Sequence, residues 1–201
     1  MVRPIAHRIN TIEDSDSIPE SIGIEFDVHA YGNELIVAHD PFTKGVKLKK
    51  FLEHNKNRLC AINIKEDGIE KEVLELSIGL GLERFFLFDV NFPQIYKLGN
   101  QHNKHLCLRL SEFEKPLLER LRNFTSYLWI DTFNGKFWMT KKEIINMKDL
   151  KYNLCFVSPE LHVPNVKKQI EFSKKIKENI QLFDDKDFIC TKDYKIYSRY
   201  W

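Results

Sequence analysis

Apolar residues gather along the chain in short, mostly unbroken runs. Val2 to Ala6, Ile22 to Val28, Leu59 to Ile64, Phe85 to Val90, His105 to Leu110, Tyr127 to Ile130, Leu154 to Val157 and Phe188 to Cys190 each hold one. Continuous apolarity over about 4–8 residues is the pattern of parallel strands covered on both faces. A further run, Glu34 to Ala38, follows Tyr31-Gly32-Asn33, a turn permissive of positive φ. It reads as a hairpin folded back on the second strand.

Stretches with helical spacing fall between the runs. Val46 to His54 sets Val46, Leu48, Phe51 and Leu52 on one side, and Ile69 to Leu80 stops at Gly79-Leu80-Gly81. Pro93 to Leu98 is short, and Pro116 to Phe124 opens with proline at a first-turn position. Thr140 to Met147 begins with a capping residue followed three positions later by Glu143, a capping box. Asn165 to Ile180 alternates lysine with apolar residues, as a solvated outer face does. Ile9 to Ser21 is polar and reads as a loop with at most one helical turn.

Eight strands separated by helices predict an α/β fold, a compact (β/α)8 TIM barrel with a small hairpin after the second strand. The rival, a doubly wound open sheet, normally carries a glycine-rich loop after its first strand, and none stands here. No linker, repeat or low-complexity segment interrupts residues 1–201, which are read as one domain.

Composition narrows the classes. Hydrophobic residues make up 43% of the 201, enough for a packed core. Lys plus Arg total 31 against 29 Asp plus Glu, so the basic excess typical of nucleic-acid binders is missing. No apolar run approaches the roughly 20 residues of a membrane span, and the first residues lack a signal-like apolar stretch. The four cysteines, Cys60, Cys107, Cys155 and Cys190, lie inside apolar runs. They read as small core residues rather than a disulfide framework or zinc site. A cytoplasmic setting is the expectation.

A barrel presents its chemistry at the C-terminal ends of its strands. There the sequence places His7-Arg8, then Glu25, Asp27 and His29, then His39-Asp40-Pro41 from the hairpin. Asn63, Lys65 and Glu66 follow, then Asp89, Arg109, Asp131, Ser158, Glu160, His162, Thr191 and Asp193. Glu25 and Asp27, two apart, share one side of a strand. Two readings stand for them: a hard divalent cation between them, or ion pairs with Lys65, Arg8 or Arg109. His7 and His39 form a candidate general acid and base. Arg8 offers a planar fork for phosphate oxygens and Lys65 a point charge. Cation, Arg, Lys and two histidines together suit phosphodiester cleavage.

Glu160 and His162 read either as metal or substrate contacts or as loop anchors, and Arg109 with Asp131 as an ion pair across the mouth. Aromatic residues cluster around the sixth strand, mainly as packing. Phe133, Phe137 and Trp138, in the following loop, have the alternative of stacking on a sugar or base.

Ile5-Ala6-His7-Arg8, Ile24-Glu25-Phe26-Asp27-Val28 and Leu35-Ile36-Val37-Ala38-His39-Asp40-Pro41 together resemble the glycerophosphodiester phosphodiesterase family of the phospholipase-C-like barrels. Ile62-Asn63-Ile64-Lys65 stands where that family has I-E-I-K. The resemblance implies a TIM-type barrel, one divalent cation (Mg²⁺ or Ca²⁺, with Mn²⁺ as a variant), and in-line attack on a small-molecule phosphodiester. Carried over by position, it implies His7 and His39 as the acid/base pair, with His39 the base of the first step. Arg8 and Lys65 would bind phosphate, and Glu25, Asp27 and Asn63 would hold the metal.

Three departures stand out. Ile9 replaces the glycine after His-Arg, so the loop there must differ. The segment before the second strand is short, with Asn10-Thr11 as a remnant of the family's E-N-T. Asn63 replaces a carboxylate: its carbonyl can ligate Mg²⁺ or Ca²⁺ without charge and with lower affinity, or Asp89 or Glu66 substitutes for it. Ile62 to Gly68, Phe86-Leu87-Phe88-Asp89 and Val157 to His162 also resemble a short bacterial branch associated with surface-polysaccharide genes. The alternative function is therefore a non-catalytic or regulatory barrel that binds a sugar phosphate or nucleotide sugar.

Overall fold

A computed structural model describes residues 2–199 of the chain; Met1, Tyr200 and Trp201 lie outside the described residues. The elements run β1 (Arg3–Ala6), α1 (Ile12–Asp16), β2 (Gly23–Tyr31), β3 (Glu34–Val37), β4 (Val46–Lys47), α2 (Leu48–Asn55), β5 (Cys60–Ile64), α3 (Glu70–Gly79) and β6 (Phe85–Phe88). They continue with α4 (Phe92–His102), β7 (Cys107–Leu110), α5 (Leu118–Leu121), β8 (Tyr127–Ile130), α6 (Lys141–Asp149), β9 (Asn153–Val157), α7 (Val166–Glu178), β10 (Phe188–Thr191) and α8 (Tyr194–Arg199). This is a mixed α/β fold on a 10-stranded sheet among the described residues.

The central strands are parallel, in the order β7-β8-β9-β10-β1-β2-β5-β6, and the hairpin strand β3 and short β4 extend antiparallel from β2. The two ends of that order meet at one isolated parallel bridge, Leu87 to Leu106. The hydrogen-bonded ladder is therefore interrupted between β6 and β7.

Register explains why the runs carry so little polar alternation. Alternate residues of each strand point to opposite faces, and both faces are covered. Ile5, Ala61, Phe86, Trp129, Cys155 and Cys190 belong to a core on the inner face. Ile24, Phe26, Leu128, Ile130 and Phe156 belong to a larger core between sheet and helices. All four cysteines are buried free thiols.

Local signals account for most boundaries. Thr140 accepts from Glu143 N while the Glu143 side chain accepts from Thr140 N, so the expected capping box starts α6. Asn91 caps α4 by accepting from Gln94 N, which lets this helix run longer than the expected 93–98. The expected 116–124 helix shrinks to α5, four residues with none buried. Leu118 and Leu121 pack only partly against the core, which leaves this short segment little to hold it helical. Val46 and Lys47 pair with β3 instead of joining the helix that follows. The unanticipated α8 is anchored by Tyr197, buried with its hydroxyl 2.5 Å from that of Ser158. No helix among the described residues is long and apolar enough to cross a membrane.

Candidate active site

The site begins where β1 stops. His7 N still donates to Thr191 O at 2.9 Å, extending the pairing with β10 by one residue. Arg8 then takes φ 59, the left-handed region, which costs a side-chain-bearing residue about 1–2 kcal/mol. Two contacts to β2 hold this turn: Arg8 N donates to Glu25 Oε2 at 2.7 Å and Ile9 N to Glu25 O at 2.8 Å. The positive φ thus falls on Arg8, one residue before the position where the family has glycine, and Ile9 turns into the core.

Asn10 completes the turn. Its Nδ2 donates to Asp27 Oδ2 at 2.9 Å, and its Oδ1 accepts from Asp27 N at 2.9 Å. The sequence marks Asn10 only as a motif remnant; the structure makes it the residue that orients Asp27.

Glu25 and Asp27 are both almost fully buried on one face of β2. Burial, and then the Asp27 charge, push the Glu25 carboxyl up to about 8, against the lowering effect of the Arg8 N–H. Asp27 has two cations at longer range, Lys65 Nζ at 3.9 Å and Arg8 Nε at 4.0 Å. His7 Nε2 lies 3.6 Å from Glu25 Oε2, and its Nδ1 is buried without a partner among the described residues. Burial, followed by the Arg8 charge, lowers the His7 imidazole to about 4.

His39 follows β3. Its Nδ1 sits 2.7 Å from Asp40 Oδ1, a contact that leaves Nε2 uncommitted. That hydrogen bond holds the Asp40 carboxyl below its usual range.

Asn63 faces the same interior, paired in register with Asp27. Its Oδ1 is buried with no hydrogen-bond partner among the described residues. An orphaned amide oxygen beside two buried carboxylates is a donor set suited to a hard cation. Among the described residues no group of three or more His, Cys, Asp or Glu is arranged to hold a metal.

The later strands contribute more charge. Arg109 on β7 pairs with Asp89, and its Nε lies 3.4 Å from Asp131 Oδ2. His162 Nε2 lies 2.7 Å from Asp131 Oδ1. Asp89 also has a positive φ, 58, and burial raises its carboxyl. His7, Arg8, Glu25, Asp27, His39, Asn63 and Lys65 line one cleft of about 230 Å³ together with Asp89, Arg109, Asp131 and His162.

Other candidates sit elsewhere. Glu66 accepts from Ala30 N at 2.9 Å and is not part of this cleft, so it does not replace the missing carboxylate. Glu160 accepts from Thr191 Oγ1 at 2.6 Å and Lys192 N at 3.1 Å and also pairs with Ser158, which makes it a loop anchor. Phe137 packs against Phe156 and Phe172 in the core. Trp138 donates to Asp131 O at 2.8 Å. Of the three aromatic residues, Phe133 approaches the mouth, with its ring 4.5 Å from that of His162.

No protein-family model matches the chain, and no curated protein matches it. Among solved structures, it is similar to a glycerophosphodiester phosphodiesterase from Agrobacterium tumefaciens str. C58, with a TM-score of 0.70 over 100% of this chain and 99% of that one. Sequence identity is 16%, so the likeness speaks to the fold.

Proposed function

We propose that the chain is a metal-dependent phosphodiester hydrolase of the glycerophosphodiester type, built on a (β/α)8 barrel closed across the β6–β7 bridge. The observation that carries this reading is the convergence of His7, Arg8, Glu25, Asp27, His39 and Lys65 on one cleft, from four separate strand ends. Arg8 and Lys65 supply positive charge for the phosphate oxygens. His39, with Nδ1 fixed on Asp40, takes the proton of the attacking hydroxyl or water at Nε2, and His7 completes the acid/base pair. Glu25, Asp27 and Asn63 are the residues that would hold Mg²⁺ or Ca²⁺, which supplies charge stabilisation to the phosphoryl oxygens when bound.

The neutral Asn63 favours a second reading, a barrel that binds a sugar phosphate or nucleotide sugar without turning it over. One experiment separates the two. Purified protein with Mg²⁺, Mn²⁺ or Ca²⁺ is assayed on an activated phosphodiester and on a glycerophosphodiester. Turnover is expected, with His7→Ala and His39→Ala each slower by roughly 10²–10⁴-fold. Thermal stabilisation by a sugar phosphate with no product from any diester would establish the binding barrel instead.

A further inference from the structure

The parallel strands have a second open end, opposite the cleft. A cavity of about 500 Å³ sits there, against about 230 Å³ for the cleft, and the two share no residue. The first residues of six strands line it: Arg3, Gly23, Phe85, Tyr127, Asn153 and Phe188. Its volume is that of a small-molecule site.

Its charge is one-sided. Five lining side chains are cationic, Arg3, Arg84, Lys104, Lys151 and Lys186, and two are acidic, Glu83 and Asp185. The cavity thus holds an excess of three positive charges, whereas the whole chain has a net charge of +2. Arg3 is engaged by Asp185 at 3.1 Å, and Arg84 Nη2 donates to Asn57 O at 2.6 Å. The ammoniums of Lys104, Lys151 and Lys186 make no ion pair or side-chain hydrogen bond among the described residues, and all three side chains are exposed. Burial pushes the Tyr127 phenol up to about 12, so it adds no negative charge. Like charges gathered around one concavity repel each other and raise the local concentration of anions.

Lys151 sits there at a cost to the fold. It follows α6 with φ 66. Tyr152 N donates to Met147 O at 3.1 Å and Lys151 N to Lys148 O at 2.9 Å, the Schellman arrangement that favours glycine at this position. The end of α3 makes the same loop. Leu82 N donates to Ser77 O at 3.1 Å and Gly81 N to Ile78 O at 2.9 Å, with glycine in place at φ 75. One chain thus closes two helices with the same motif. It uses the unstrained residue away from the cavity and a strained lysine beside it. Backbone strain kept at a ligand-facing position is a mark of function.

We propose that this cavity is a binding site for a small molecule bearing a diphosphate or an equivalent pair of anionic groups, held by Lys104, Lys151 and Lys186. Three ammoniums from separate strand ends suit more than one anionic group, and charge-assisted hydrogen bonds to phosphate oxygens are the strong ones. Tyr127 and Phe188, stacked with ring centroids 6.4 Å apart, give the wall an aromatic surface. The site is independent of the phosphodiesterase reading.

Isothermal titration calorimetry tests it on the full chain, in EDTA and low salt, with inorganic pyrophosphate and ADP as probes. Both should saturate with Kd below about 1 mM and weaken as salt rises. Either order of affinity supports the site, and a tighter ADP adds the aromatic wall as the surface that takes its ring. Lys151→Gly should weaken both probes roughly 10-fold, yet raise the Tm of the ligand-free protein by about 2–4 °C. Lys104→Gln should weaken binding by a similar factor, while Arg8→Ala, in the cleft, should leave it unchanged. No saturation by either probe up to about 1 mM would overturn the proposal. So would affinity that is lost in Arg8→Ala and kept in both lysine variants. Neither result touches the phosphodiesterase reading.

Discussion

Asn63→Asp tests the donor set at its weakest member. The substitution restores a carboxylate opposite Asp27 in the β2–β5 register, where Asn63 Oδ1 is already buried and unpaired among the described residues. Directly opposed side chains lie about 5 Å apart at Cβ. A like-charge pair at that distance costs about 3 kcal/mol at an effective dielectric of 20. Partial protonation relieves some of this, so without divalent cation the variant should lose about 2–3 kcal/mol. For a chain of this length each kcal/mol moves the melting temperature by about 2–4 °C, so Tm should fall by roughly 4–12 °C in EDTA.

A cation held by Glu25, Asp27 and the introduced carboxylate reverses the sign. At about 100 times its Kd, a ligand that binds only the folded state adds about 2.7 kcal/mol. Mg²⁺ or Ca²⁺ should then recover most of the loss, and should raise the variant's Tm more than that of wild type. Differential scanning fluorimetry in EDTA and across a cation titration reads both numbers. Melting curves that do not move with cation, in wild type and variant alike, would refute the metal reading of Glu25, Asp27 and Asn63.

Two further predictions concern the scaffold. Asp187 is fully buried and accepts from Lys148 Nζ at 2.8 Å, Leu154 N at 2.8 Å and Asp184 N at 2.9 Å. Asp187→Ala leaves the largely covered Lys148 ammonium with Asp184 alone, strips Leu154 N and Asp184 N of their acceptor, and should cost about 3–5 kcal/mol in urea unfolding; a change under about 1 kcal/mol would contradict the assignment. His105 stacks on Phe85 and hydrogen-bonds its carbonyl, and burial lowers its imidazole. The unfolded ring binds protons more readily than the folded one, so its contribution is complete above about pH 6.5 and declines as pH falls toward the lowered folded value. His105→Leu should flatten that acid-side slope in unfolding curves measured between about pH 5 and 7.

The strand rhythm is legible in the sequence because nearly every strand is covered on both faces, so burial leaves continuous apolar runs. The hairpin is legible from Gly32, which takes φ 62 at the turn. The acidic pair on β2 and the His7, Arg8 and His39 positions follow from strand ends alone. The pairing of Asp131 with His162 is not legible, because it joins a strand end to a loop 31 residues away through side chains with no local pattern. Glu66 misleads for the opposite reason: strand-end position brings it near the mouth, but the free N–H of Ala30 claims its carboxylate. The brevity of α5 reflects the merely partial burial of Leu118 and Leu121, which helical spacing from Pro116 onward does not reveal.

The interrupted ladder between β6 and β7 has a consequence for the mouth above it. Asp89 follows β6 and Arg109 belongs to β7, so their ion pair spans the gap that backbone pairing leaves almost open. On that flank the aperture is fastened by charge instead of by main-chain bonds. An anionic guest that draws Arg109 toward itself would unfasten the clasp, coupling what enters the cleft to how widely it stands apart.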